Sequence, residues 1–186
     1  MKIKNLIFLA GMAGLCACVK GTHTQKAYDF APLDSIISSW MDKGYYPGGA
    51  VCVMKDDSVL FRKDYGGFTD STQVYVASAG KWVAAAVVAA VVDMTALDWD
   101  DPVEKWLPEF RGDAKGGIPL RRLLSHTSGI RPYLPEPRID NYNHLDSAVA
   151  EILPLDMVFT PGTRFEYGGL AMQVAGRVAE VAAGKE

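Results

Sequence analysis

Ser78 and Lys81, three positions apart in Ser78-Ala79-Gly80-Lys81, are the residues of this chain best placed to do chemistry together. At the start of a helix, residues at this spacing project from one face, so the Lys81 amine can approach the Ser78 hydroxyl. An alcohol is a weak nucleophile until a neighbouring base takes its proton. A lysine buried against an apolar face has its charged form disfavoured, which leaves a neutral amine able to act as that base. The free N–H groups of the same helix terminus, that of Ser78 among them, can face a developing oxyanion. By itself the pattern is not specific, since a serine cap followed by a solvated lysine has the same spacing.

The elements that must position this pair show in the periodicity. Residues 78–94 are apolar on nearly every face beyond Lys81 and too few for a bilayer span, which predicts a helix buried within the protein. Leu33, Ile36, Ile37, Trp40 and Met41 form an amphipathic stripe that ends near Gly44. Residues 50–54 and 59–63 are β-prone runs joined by Lys55-Asp56-Asp57-Ser58, which predicts an antiparallel hairpin closed by Gly66-Gly67. Short helices are expected over 120–125, stopping at His126-Thr127-Ser128-Gly129, and over 148–153 with Asp146 or Ser147 as cap. Pro161-Gly162 opens a turn before an extended 164–167, and 170–183 is a last helix stopped by Gly184.

With 49% hydrophobic and 22% charged residues and a net charge of −3, the composition is that of a globular protein and leaves no electrostatic footprint for nucleic acid. His23, His126 and His144 lack metal-ligand spacing, and neither Gly66-Gly67 nor Gly116-Gly117 has the surroundings of a phosphate loop, so no metal or cofactor is expected. His126 reads as part of a helix-ending turn, and Asp98, Asp100 and Asp101 before Pro102 as a structural turn.

At the N-terminus, Lys2 and Lys4 precede an uncharged run over 6–19, the pattern of a secretory signal. Within it Leu15-Cys16-Ala17-Cys18 resembles the bacterial lipobox, with Cys18 as the lipid-bearing residue after cleavage; Cys16 fits worse because Leu15 would stand where a small side chain is wanted. The expected organisation is a signal peptide with lipobox over 1–18, a tether over 19–30 and a folded domain over 31–186. The protein is then exported and lipid-anchored on a bacterial cell envelope, periplasmic or outer-membrane associated. Cys52 is the thiol left over, without a disulfide partner and, in its apolar run, expected to be buried.

Four ordered motifs go further: Tyr75-Val76-Ala77-Ser78-Ala79-Gly80-Lys81, the stretch from Leu97-Asp98-Trp99 to Pro108-Glu109-Phe110, Leu123-Leu124-Ser125-His126-Thr127-Ser128-Gly129-Ile130, and Pro161-Gly162-Thr163-Arg164-Phe165-Glu166-Tyr167. From about Leu33 onward the chain resembles the β-lactamase-related serine hydrolases, which join class C β-lactamases, D-alanyl-D-alanine carboxypeptidases and lipase-like esterases. The resemblance implies an α/β fold of the α+β type, with an antiparallel sheet flanked by helices plus a helical region. It also implies an acyl-enzyme mechanism on a small-molecule or peptidoglycan-like acyl substrate. Ser78 would attack a carbonyl, Lys81 would take or relay its proton, and Tyr167 would help activate Ser78 and return a proton to the leaving group.

Two departures accompany the resemblance. Where members of the family commonly show Tyr-x-Asn, this chain has Tyr167-Gly168-Gly169, which removes an amide that would contact substrate and the catalytic lysine, counts against penicillin-like or peptide substrates and favours an esterase or another acyl substrate, while esterase or peptidase activity is expected ahead of lactamase activity. The family's third motif, a lysine- or histidine-bearing strand that lines the site, does not follow before Glu186. The chain is therefore expected to be the N-terminal part of a larger hydrolase, lacking the strands that complete the sheet and inactive or poorly folded alone. The alternative from another class is a lipid-anchored binding protein that kept the fold and lost catalysis.

Overall fold

The computed structural model describes residues 28–138 and 142–185. The expected signal peptide, Cys18 and most of the tether lie outside the described residues. The chain divides into two compact units between Val74 and Tyr75.

The first unit contains α1 (Ala31–Asp42), β1 (Gly48–Lys55) and β2 (Ser58–Gly66). The Asp29 carboxylate accepts the Ala31 N–H at 2.9 Å, and Pro32 and Asp34 fall in the first turn, where a missing donor and a negative charge both suit a helix start. The Gly44 N–H closes the other end on the Met41 carbonyl at 2.8 Å. Between the strands, Asp56 and Asp57 both take positive φ, 49° and 60°, forming a two-residue turn whose twist matches that of an antiparallel pair. Phe30 stacks on Phe61 at 5.0 Å and Lys63 ion-pairs with Asp34, so α1 lies against β2. Among the described residues the sheet has these two strands.

Cys52 is exposed, which corrects the expectation of a buried thiol. Alternation along β1 half-buries Val51 and Val53 and turns Ala50, Cys52 and Met54 to the open face, because an apolar run in a strand has two sides and α1 covers one.

The second unit is helical: α2 (Lys81–Met94), α3 (Val103–Trp106), α4 (Leu120–Leu124), α5 (Leu145–Ile152) and α6 (Leu170–Ala183), with 3-10 turns at Ala77–Gly80 and Pro108–Phe110. Its centre is α6, against which α2, α3, α4 and α5 all pack. Leu170, Val174 and Val178 of α6 meet Val88, Leu107, Phe110, Leu123 and Ile152 in one buried cluster. Gly184 ends α6 in the left-handed conformation, as expected from the sequence.

Two expectations need correction here. The helix following Ser78 is not enclosed on all faces: within it only Val88 is fully buried, while Trp82 and Met94 are 73% and 83% exposed. Within this unit α2 packs against α6, and Val83 and Val87 join Trp82 and Met94 among its exposed apolar side chains. Counted with its leading turn, Ala77–Met94 is 18 residues, so length and composition alone do not exclude a bilayer span; its packing on α6 joins it to the helical unit. The second correction concerns α5, which starts at Leu145, before the expected cap. Leu145 lies against Gly176 of α6, and the packing of this leucine extends the helix past Asp146, whose carboxylate takes the Ser147 N–H inside the first turn.

This uneven burial of α2 predicts unequal costs of truncation. Val88→Ala is expected to lower unfolding free energy by about 2 kcal/mol, from two lost methylene equivalents plus a cavity. Val87→Ala, at a position 57% exposed, should stay within about 0.5 kcal/mol. Urea denaturation of both variants checks the pair, and equal losses would contradict the open face.

Candidate active site

Ser78 sits in the 3-10 turn Ala77–Gly80, and the α-helix proper begins at Lys81, three residues later than the sequence suggests. The turn starts at a strained point: Ala77 has φ of 46°, a left-handed conformation that costs a non-glycine residue free energy. The Ala79 N–H bonds the Val76 carbonyl at 3.0 Å and tightens the turn around the serine. From the first turn of α2, the Lys81 Nζ donates to the Ser78 Oγ at 3.0 Å. The expected pairing is present. The expected burial of the amine is not: Lys81 is half-buried at the open end of α2, because the apolar residues that follow it leave that end uncovered.

Tyr167 reaches the pair from the segment preceding α6. The Glu166 N–H bonds the His126 carbonyl at 2.8 Å, and the Gly169 N–H bonds the Pro132 carbonyl at 2.9 Å, so Tyr167 hangs between two main-chain ties. Gly168 makes the second tie possible, since a Cβ there would lie 2.3 Å from the Pro132 Cα. Further along the same pair of segments, the Val158 and Gly162 N–H groups bond the Gly129 and Thr127 carbonyls, each at 2.8 Å. Gly129 has φ of 78°, and a Cβ on it would lie 2.1 Å from the Phe159 carbonyl oxygen. The Tyr167 ring centroid ends 5.1 Å from the Lys81 Nζ. Interaction with the Ser78 hydroxyl first, and with Lys81 second, lowers the phenol pKa below its ordinary value. All three residues singled out from sequence, Ser78, Lys81 and Tyr167, thus meet in one place.

His126 joins them, which the sequence reading missed. It takes φ of 55° after the end of α4 and does form the expected turn, but its ring lies 4.7 Å from that of Tyr167 and 5.8 Å from that of Phe165. Burial, and then the charge of Lys81, hold its pKa below the ordinary imidazole value. The signal available in the sequence was its place in Ser125-His126-Thr127-Ser128-Gly129, one of the four family-like motifs.

The acidic cluster before Pro102 is a turn. Asp98 accepts the Asp100 N–H at 2.8 Å, Asp101 accepts the Asp98 N–H at 3.0 Å and the Trp106 indole at 2.9 Å, and Asp100 pairs with Arg121. Among the described residues no group of three or more His, Cys, Asp or Glu side chains is arranged to hold a metal ion.

Comparison with known proteins gives the family and the fold. Residues 33–186 match the family model Beta-lactamase. Esterase EstB of Burkholderia gladioli is 27% identical over 180 residues, covering 83% of this chain and 46% of that protein. The crystal structure of a candidate beta-lactamase from Bacteroides dorei DSM 17855 is 83% identical with a TM-score of 0.84, covering 86% of this chain and 48% of the other. A class C beta-lactamase structure is 26% identical with a TM-score of 0.69, covering 83% and 44%. The chain therefore spans about half the length of the proteins it matches. Helices plus a small antiparallel sheet make its fold the α/β one of β-lactamases and transpeptidases. With the family model extending over most of its length and both architecture and motifs in agreement, the chain belongs to the Beta-lactamase family.

Proposed function

We propose that this chain carries the acylating half-site of a serine hydrolase, with Ser78 as nucleophile and Lys81 and Tyr167 as its proton-handling partners. The observation that carries this reading is the 3.0 Å contact from Lys81 Nζ to Ser78 Oγ, with Tyr167 interacting with both. Ser78 Oγ attacks the carbonyl carbon of an ester or amide as its proton passes to the Tyr167–Lys81 pair. The Ser78 N–H at the 3-10 turn faces the resulting oxyanion. Collapse of the tetrahedral intermediate breaks the bond to the leaving group, which takes a proton back from the same pair, and water then hydrolyses the acyl-enzyme. In the resting geometry the lysine is the donor to Ser78. We therefore assign the phenol, whose pKa is lowered, as the acceptor of the serine proton.

The substrate class we propose is an ester or peptide-like acyl compound, small or derived from peptidoglycan. Gly169 presents no side-chain amide next to Tyr167, and the similarity to an esterase supports the ester side of that class. Export and a lipid on Cys18 are proposed from the N-terminal motif alone; a peptidoglycan-like substrate would suit an envelope location. Full turnover is proposed to belong to a longer protein, because the relatives have about twice this length and α2 leaves apolar side chains in solvent. The acylation step needs only the three residues that meet here.

Intact mass after exposure to a fluorophosphonate tests the reading. The folded wild-type chain is expected to gain one adduct that Ser78→Ala does not, and labelling in Lys81→Ala and Tyr167→Phe should slow by about 10²- to 10⁴-fold. Absence of any adduct in a folded protein would sink it. The pH dependence has a stated sign: because Ser78 and Lys81 lower the Tyr167 pKa, labelling should rise with pH along a limb centred below the ordinary phenol value of about 10, and Tyr167→Phe should lose that limb. Gly169→Asn, by restoring an amide, is expected to raise the ratio of penicillin adduct to fluorophosphonate adduct; an unchanged ratio would show that position 169 does not govern substrate choice.

A further inference from the structure

His126 touches the proposed site by two independent routes. Its carbonyl holds the Glu166 N–H at 2.8 Å, which fixes the backbone one residue before Tyr167, and its ring lies 4.7 Å from the Tyr167 ring at 49°. The Tyr167 ring is thus in contact with His126 and within 5.1 Å of the Lys81 Nζ. The left-handed φ of 55° is one that histidine tolerates better than most residues, and the turn places both the carbonyl and the imidazole toward the same segment.

We infer that His126 is a positioning residue that seats the Tyr167 phenol toward Ser78 and Lys81, and that placing a proton on its imidazole disarms the site. This rests on the serine-hydrolase reading above and deepens it by assigning the group that orients Tyr167. The charged groups around the imidazole explain the second half. Lys81 faces it from α2. Glu166, on the segment opposite, turns its carboxylate to Arg164, while Arg121 of α4 pairs with Asp100 and Arg122 lies against Gly162. An imidazolium there would stand beside an ammonium, with the neighbouring Glu166 carboxylate among the described residues engaged by Arg164, and its repulsion would push Lys81 and Tyr167 out of register. The lowered pKa of His126, from burial and from Lys81, agrees with a ring kept neutral at neutral pH. Since the folded state resists the proton, the neutral ring persists below the ordinary imidazole value of about 6.5 and is lost only as pH falls further.

The test separates ring from backbone. His126→Asn keeps a residue that accepts left-handed φ and keeps the carbonyl tie but removes the ring; His126→Phe keeps an aromatic face without a titrating group. With fluorophosphonate on the full chain, the limiting inactivation rate of His126→Asn is expected to fall about tenfold with the reagent's half-saturation concentration unchanged. His126→Phe should recover most of that rate and lose the acid-side fall seen in wild type. Equal rates and equal pH profiles in wild type and His126→Asn would overturn the inference while leaving the function standing. If wild type itself takes no label, the function fails and the inference is judged by ultraviolet titration of Tyr167, read as the difference between each chain and its Tyr167→Phe partner. A midpoint that moves up toward the ordinary phenol value in His126→Asn supports positioning, and one that does not move overturns it. Should His126→Phe fail to fold, proton NMR of the His126 ring in Lys81→Ala decides the electrostatic half. Its midpoint rises if Lys81 opposes the imidazolium and stays put if it does not.

Discussion

The site depends on a close backbone approach between the turn after α4 and the segment that leads into α6. Four main-chain hydrogen bonds join residues 127–132 and His126 to residues 158–169, and they form only because the chains come together where side chains would collide, at Gly129 and Gly168. Neither segment is a regular strand or helix there, so no ladder supplies the register. The glycines do, and buried Ser128, which accepts the Ile130 N–H at 3.2 Å, satisfies donors that the tight path would otherwise strand. Tyr167 is carried to the start of α2 by this tie, while α6, continuing from Gly169, packs on α2 and fixes the distance between them. Catalytic geometry and core packing are therefore set by the same short stretch of chain.

Much of this was legible in the sequence, for identifiable reasons. The hairpin and the amphipathic helix before it follow from residue types whose preferences are local: paired aspartates that accept positive φ, and apolar residues at helical spacing. The end of α6 at Gly184 follows similarly from a residue that adopts the left-handed cap. Ser78 and Lys81 were found because their spacing is itself a geometric statement. Tyr167 was reached only through family resemblance, since nothing local distinguishes it from any half-exposed tyrosine.

What failed to show were properties of surroundings rather than of residues. Cys52 and the apolar faces of α2 were expected to be buried because their composition is apolar, but burial requires a second surface, and composition says nothing about which surface is present. In this chain α1 covers one side of the hairpin and α6 packs against α2. The half-burial of Lys81 has the same origin, and it shifts the argument about activation. In the proposed mechanism the activation of Ser78 rests on close-range interactions among Ser78, Lys81 and Tyr167.

Those interactions cannot be apportioned residue by residue. Lys81 donates to Ser78, the Ser78 hydroxyl and Lys81 both lower the Tyr167 pKa, and the charge of Lys81 opposes a proton on His126. The charge of Lys81 thus favours the phenolate of Tyr167 and disfavours the imidazolium of His126. In the proposed mechanism, the deprotonation of Ser78 depends on the geometry that holds the Tyr167 ring 4.7 Å from the His126 ring and 5.1 Å from the Lys81 Nζ. On the proposed positioning role, His126 acts on the serine through the Tyr167 ring.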